Sequence, residues 1–156
     1  MPGVNPMDKL EMLFRMQAEL NDKTFRKNGI MRPDGSGPLT MADFREACER
    51  GDLEKGGIVS DWLQNYARAL SQETAELLDS TPWKWWSKDR EVDLRNARVE
   101  IVDALHFWLS LALVAGLDAD EVFRLYSLKN AVNHERQDSG SYLHMHKDGS
   151  DDREVR

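Results

Sequence analysis

The chain has one cysteine, Cys48, in 156 residues. A single thiol can form no internal disulfide and no cysteine-based zinc site, and such scarcity suits a reducing cytosol. Positive charge is also in the minority: 21 Lys and Arg against 28 Asp and Glu leave a net charge of −7. That balance argues against a protein that coats nucleic acid or an anionic membrane, so an anionic ligand would require local basic groups or a metal ion. Long apolar runs are missing too. The most apolar stretch, Ala104 to Leu117, is shorter than a membrane span and begins among two carboxylates and an imidazole, so it reads as a buried helix. Met1 to Asn5 has neither a basic nor an apolar segment of the secretory type, and no internal repeat of solenoid or propeller length is visible. Forty per cent hydrophobic and 31% charged residues then describe an ordinary globular chain whose length suits one core.

Apolar residues recur with the 3.6-residue helical period in four long segments, and sustained alternation is found nowhere, which predicts an all-α bundle of four to five helices. The first helix is expected from about Pro6 to Thr24, with Leu10, Leu13, Phe14 and Leu20 on its apolar face. A turn-rich loop around Pro33-Asp34-Gly35 leads to a short helix from Thr40 as N-cap to Arg50, closed by Gly51. A long helix is expected after Ser60 and before Pro82, and another from about Arg90 to Ala115, stopped by Gly116. The last opens with Asp118 as N-cap and Glu121 at N3 and runs to about Arg136. Residues 1–137 read as one catalytic domain and 138–156 as a polar tail.

Polar groups standing inside apolar stripes are the informative residues, because burying one unpaired costs about 1 to 3 kcal/mol. The Ser60 helix carries Glu73 in the stripe of Trp62, Tyr66, Leu70 and Leu77, with Glu76 one turn on. In the Arg90 helix, Glu100 and Asp103 interrupt a segment that is apolar almost all round. Four converging carboxylates would repel and take up protons unless a cation lay among them, and with oxygen ligands alone the hard cations Mg²⁺ or Mn²⁺ are the natural choice. Either acid pair by itself reads as a structural one that faces water or a Lys or Arg; both together, one of them in an apolar helix, favour metal. Lys129, Asn133 and Arg136 share a face of the last helix and suit phosphate oxygens, or else form a solvated rim. Gln17 and Asn21 break the first helix's stripe, where two amides offer donors and acceptors to a nucleobase edge or to a neighbouring helix. His106, one turn after Asp103, reads as a ligand contact, an orienting group or a satisfied core histidine. Trp83, Trp85 and Trp86 read as core or interface aromatics, or as a platform for a base. His144 and His146 read as surface.

Glu73-x-x-Glu76, 23 residues, then Glu100-x-x-Asp103 resembles the signature of the all-α nucleoside triphosphate pyrophosphatases, which include the MazG-like enzymes and the dimeric dUTPases. The flanking text is more specific. Met16-Gln-Ala-Glu-Leu-Asn-Asp22, Glu73-Thr-Ala-Glu-Leu-Leu-Asp-Ser80, Trp83-Lys-Trp-Trp86, Arg98-Val-Glu-Ile-Val-Asp-Ala-Leu-His-Phe107, Lys129-Asn-Ala-Val-Asn133 and Arg136-Gln-Asp-Ser-Gly140 resemble the successive motifs of the dimeric dUTPases. The resemblance implies a homodimer that cleaves dUTP to dUMP and diphosphate with two or three Mg²⁺ ions, Mn²⁺ substituting, with dUDP as a further substrate left open. It places the metal on Glu73, Glu76, Glu100 and Asp103, the uracil and deoxyribose on Gln17, Asn21, Trp85 and His106, and the phosphates on Lys129, Asn133, Arg136 and Tyr142. Only Gly116 and Leu117 separate the last two helices, where longer relatives carry extra ones, so the chain resembles a compact form. Two other readings stand beside this one. The first is a MazG-like pyrophosphatase for dCTP or non-standard nucleotides; the second is a non-catalytic helical interaction protein whose acids face water.

Overall fold

The computed structural model describes residues 8–138, and among these the fold is all-α: α1 (Lys9–Lys27), α2 (Met41–Arg50), α3 (Ile58–Asp79), α4 (Leu94–Val114) and α5 (Ala119–Asp138). An isolated bridge between Met31 and Pro38 is the only β pairing among the described residues. The contacts divide the chain after Leu117 into two compact units, the first holding α1 to α4 and the second α5. No single helix among the described residues is long and apolar enough to cross a membrane.

Capping chemistry decides where the helices begin. Asp8 accepts the Glu11 amide at 2.8 Å, so α1 starts three residues later than the periodicity alone suggests and runs on to Lys27. Thr40 and Asp43 form a full capping box on α2, and Asp43 also receives Arg32 Nε at 2.9 Å, which ties the preceding loop to the helix. Gly57 rather than Ser60 caps α3. Its extended backbone admits Ile58 and Val59 to the first turn, which lets Val59 reach the core. Asp93 caps α4 through the Asn96 amide at 3.0 Å, and this replaces the expected start near Arg90. Asp118 caps α5 as expected, accepting the Glu121 amide at 2.9 Å.

The first unit is organised around α3 and α4, which run antiparallel. Ser80 at the end of α3 receives Asn96 Nδ2 at 2.8 Å and its carbonyl accepts the Asp93 amide at 2.8 Å, while nearer the other end Tyr66 meets Phe107. α1 crosses α4, and α2 packs at the end where α3 begins and α4 finishes. There Phe25, Leu39, Met41, Phe44, Ala47, Val59 and Val114 make the core, with Trp62 edge-on to Phe25 at 4.7 Å. Gly116 ends α4 in the left-handed region at φ 75°, close under Cys48, whose Sγ donates to the Val114 carbonyl at 3.4 Å.

Two expectations about apolar faces change. On α1 the buried positions are Phe14, Gln17, Asn21 and Phe25, while Leu13 and Leu20 are exposed, so the inward face is half polar. On α4, apolar nearly all round in sequence, Val99, Ile101, Val102, Leu105 and Trp108 are exposed in the single chain. The inward face uses Ala97, Leu109, Ala112 and Val114 together with Glu100 and Ser110. Ala97, Ser110 and Ala112 make half of that face small.

Candidate metal and nucleotide site

The acid pairs meet where α3 and α4 run past one another. The Trp62, Tyr66, Leu70 and Leu77 stripe turns α3 toward its neighbours, and Glu73, lying in that stripe, is carried inward with it to a half-buried position. On α4 the capped start and the small inward residues set the helical phase, which buries Glu100 (8% exposed) and half-buries Asp103. Carboxylate oxygens of Glu73, Glu76 and Glu100 all lie within 4.8 Å of one another. Glu76 is exposed and is held on its outer side by Gln72 Nε2 at 3.0 Å.

The electrostatics of the cluster are those of uncompensated negative charge. The Glu73 carboxyl is held above the ordinary range, by burial first, then by the charges of Glu76, Asp103 and Glu100, and finally by a hydrogen bond shared with Glu100. Asp103 is therefore felt at the cluster although it is not among the three closest groups. The donor set fits a hard divalent cation: Mg²⁺ binds oxygens at about 2.1 Å, so opposite ligands of an octahedron stand about 4.2 Å apart. Small side-chain adjustments would bring the three carboxylates to that spacing.

One turn further along α4 a second polar group begins. Gln17 and Asn21 are both buried, and their amides converge with Ser110 and His106. Gln17 Nε2 donates to Asn21 Oδ1 at 2.9 Å and to Ser110 Oγ at 3.2 Å; Asn21 Nδ2 donates to Ser110 Oγ at 3.0 Å and to Met41 Sδ at 3.6 Å. His106 Nδ1 lies 2.6 Å from Gln17 Oε1. The helix-to-helix alternative for the two amides is thus realised, and it joins them to His106 rather than leaving them to themselves. Ser110, fully buried, escaped the sequence reading. A lone hydroxyl four residues after His106 in an otherwise apolar segment was the available signal, but serine is small enough to pass as a packing residue.

Trp85 lies in the connection between α3 and α4, 83% exposed, with its ring edge-on to Trp86 at 5.5 Å. Trp83 Nε1 donates to Asp79 at 2.9 Å, and Lys84 sits over the Trp83 ring. No hydrogen bond or ring contact joins Trp85 to Gln17, Asn21 or His106. Lys129, Asn133 and Arg136 all stand on α5, half-buried and each engaged by other groups. Tyr142, His144 and His146 lie outside the described residues. A roomier cleft of about 640 Å³ opens elsewhere, between the 32–39 loop, α2 and the 52–58 segment. Its arginines are already paired, Arg32 with Asp43 and Arg50 with Asp52, and it holds none of the four acids.

The described chain is thus all-α, with carboxylates from α3 and α4 brought together where the two helices pass. The match to known proteins is more particular. Residues 9–119 match the dUTPase family, and the chain belongs to it. It is 33% identical over 128 residues to a protein named dCTP pyrophosphatase from Enterobacteria phage T4, a match covering 65% of this chain and 74% of the relative. A dCTP pyrophosphatase from Enterobacteria phage LZ5 is 32% identical over 113 residues, 56% of this chain and 65% of the relative. A DNA replication protein of phage T4 is 30% identical over 118 residues, 59% of this chain but 30% of that longer protein. No solved structure matches the chain significantly. The family match contains the four acids, the amide pair, the tryptophans and His106, and it stops before Lys129.

Proposed function

We propose that the protein is a Mg²⁺-dependent pyrophosphohydrolase of a deoxypyrimidine nucleoside triphosphate, releasing the monophosphate and diphosphate. The observation that carries this reading is the convergence of Glu73, Glu76 and Glu100 oxygens within 4.8 Å in a chain of the dUTPase family. Family membership favours dUTP; the two phage relatives named for dCTP favour dCTP as the second reading.

Glu73, Glu76, Glu100 and Asp103 would hold two or three Mg²⁺ ions, with Mn²⁺ as a substitute. Bound there, the metal supplies an acidified water and neutralises charge on the phosphate chain. The rest falls to the side chains. A carboxylate of the cluster, Glu73 or Glu76, takes the proton from the attacking water. His106 meets the base, and the buried amides of Gln17 and Asn21 stand behind it and hold its ring. Trp85, whose ring is open to solvent, supplies a stacking surface, and Lys129, Asn133, Arg136 and Tyr142 are assigned to phosphate oxygens on charge and spacing. The assembly is proposed to be a homodimer, with the exposed apolar residues of α1 and α4 as its contact.

Diphosphate release measured with Mg²⁺ and each deoxynucleoside triphosphate in turn tests the reading. Turnover of dUTP or dCTP is expected, lost in Glu73→Gln and in Asp103→Asn while the helical circular dichroism persists. Activity of either variant within tenfold of the native chain would remove the four-carboxylate site. No release from any nucleotide would leave the chain a helical interaction protein.

A further inference from the structure

We propose that Ser110 is a positioning residue that sets the hydrogen-bonding polarity of His106, making its Nε2 an acceptor for an N–H on the pyrimidine edge of the substrate. The inference rests on the proposed deoxypyrimidine reading, but its first step does not.

That first step is a hydrogen count. Ser110 Oγ has two acceptors in reach, the His106 carbonyl at 2.9 Å, one turn back along α4, and Asn21 Oδ1 at 3.4 Å, and the shorter contact takes its only hydrogen. Its lone pairs must then face donors, and the groups beside it are Gln17 Nε2 at 3.2 Å and Asn21 Nδ2 at 3.0 Å. Each amide thereby has its nitrogen turned to the hydroxyl. The second hydrogen of Gln17 goes to Asn21 Oδ1 and the second of Asn21 to Met41 Sδ, so both amide nitrogens are fully used. With its nitrogen committed inward, Gln17 can present only Oε1 to the imidazole at 2.6 Å. An oxygen at that distance requires a hydrogen on Nδ1. The opposite amide orientation would put Gln17 Oε1 against Asn21 Oδ1 and against a hydroxyl with no hydrogen to spare.

The second step concerns the other side of the ring. With Nδ1 protonated, the neutral imidazole carries a lone pair on Nε2. His106 is exposed, Nε2 has no hydrogen-bond partner among the described residues, and the ring stands one turn from Asp103. A nucleotide whose phosphates lie at the acids therefore meets an acceptor next to them. Cytosine answers it with its 4-amino hydrogens, and uracil answers it with N3–H. The shared chemistry is an N–H donor on the Watson–Crick edge. A buried hydroxyl with no contact to substrate would thus govern which edge the site accepts, because a mismatched donor or acceptor in a dry site rejects a ligand strongly.

Long-range proton–nitrogen NMR of the full chain at pH 8, without nucleotide, reads the tautomer directly: the form protonated at Nδ1 is expected, and a ring protonated at Nε2 or at both nitrogens overturns the proposal. Kinetics then separate the bases. If dCTP is the substrate, N4,N4-dimethyl-dCTP should lose at least tenfold in kcat/KM; if dUTP is, N3-methyl-dUTP should. Equal turnover of parent and methylated nucleotide overturns the proposal while leaving the pyrophosphohydrolase reading intact, whereas no turnover of either parent overturns both. Ser110→Ala should mix the tautomers and narrow the parent-to-methylated ratio several-fold, and Ser110→Thr, which keeps the hydroxyl, should restore both. A variant that only lowers the melting temperature, with tautomer and ratio unchanged, would make Ser110 a packing residue. Should Ser110→Ala not fold, the native tautomer and the methylated nucleotides decide alone.

Discussion

Glu100→Gln should make the metal-free protein more stable and the metal-loaded protein inactive. Glu100 is the most buried acid of the cluster, and its carboxylate comes within 4.8 Å of those of Glu73 and Glu76. Two unit charges at that separation repel by about 3.5 kcal/mol at an effective dielectric constant near 20 and by about 0.9 kcal/mol in bulk water. Glu76 is exposed and Glu73 only half-buried, so each repulsion is screened by water and lies toward the lower figure. The two together amount to about 1 to 2 kcal/mol. Glutamine keeps the shape and can donate to Glu73, so no packing is lost and no acceptor is stranded. For a chain of this size the gain corresponds to a melting temperature higher by roughly 3 to 6 °C in the presence of EDTA. Magnesium should reverse the order. It stabilises the native chain by binding only the folded state, and the variant, short of one ligand charge, should gain little. Thermal unfolding followed by circular dichroism, with EDTA and with millimolar Mg²⁺, gives all four values. A variant less stable than the native chain in EDTA and equally stabilised by Mg²⁺ would refute the idea that these carboxylates are held together for a cation.

The raised pKa of Glu73 sets a pH dependence of the same metal-free state. A carboxyl with a folded pKa above its unfolded value contributes stability that is complete below the unfolded value, 4.5, and is lost as pH rises through the folded one, so acidifying from neutrality should stabilise the EDTA-treated chain, and Glu73→Gln should flatten that part of the profile. Gly116→Ala places a Cβ 3.1 Å from Cys48 Cβ at φ 75° and should cost about 1 to 2 kcal/mol or more in urea unfolding. Gly29→Ala, at φ 66° with open space around it, should lose the backbone part alone. Arg136→Ala should lower kcat/KM for the preferred nucleotide by about 2.7 to 4 kcal/mol, in kcat as well as KM, if the guanidinium meets charge that develops on the leaving diphosphate. Light scattering at micromolar concentration should return twice the 18.0 kDa of one chain, and a monomer would remove the dimer from the proposal.

What could be read from the sequence follows the physics of each signal. Helix class and the interior breaks at Gly51 and Gly116 were legible because periodicity and left-handed glycines are local properties. Helix starts were less so: Asp8, Gly57 and Asp93 were chosen as caps by side-chain geometry and by the pull of Val59 into the core, neither of which periodicity reports. The acids of α3 and α4 stood out because charge in an apolar stripe is expensive, and the structure brings three of them together. Leu13 and Leu20 were misjudged for the converse reason. Hydrophobicity says that a residue prefers cover but not which chain provides it, and on α1 the buried face went to Gln17 and Asn21, whose polarity is satisfied within the unit. Ser110 was invisible since its importance lies in the count of its hydrogen bonds, which exists only once three helices have met.

The tie between Ser80, Asp93 and Asn96 separates two kinds of freedom in the chain. It clamps the end of α3 to the start of α4 on the side of the acids that faces the tryptophan-bearing connection. Loop residues beyond the clamp can be added or removed without turning either helix. Between the clamp and the acids no such slack exists: one residue inserted among positions 94–99 would rotate every later α4 side chain by about 100° and send Glu100 and Asp103 away from α3. Residues 82–92 can therefore be lengthened or rewritten while the two short segments that space the carboxylates must keep their length, a division between a fixed ruler and an interchangeable tip.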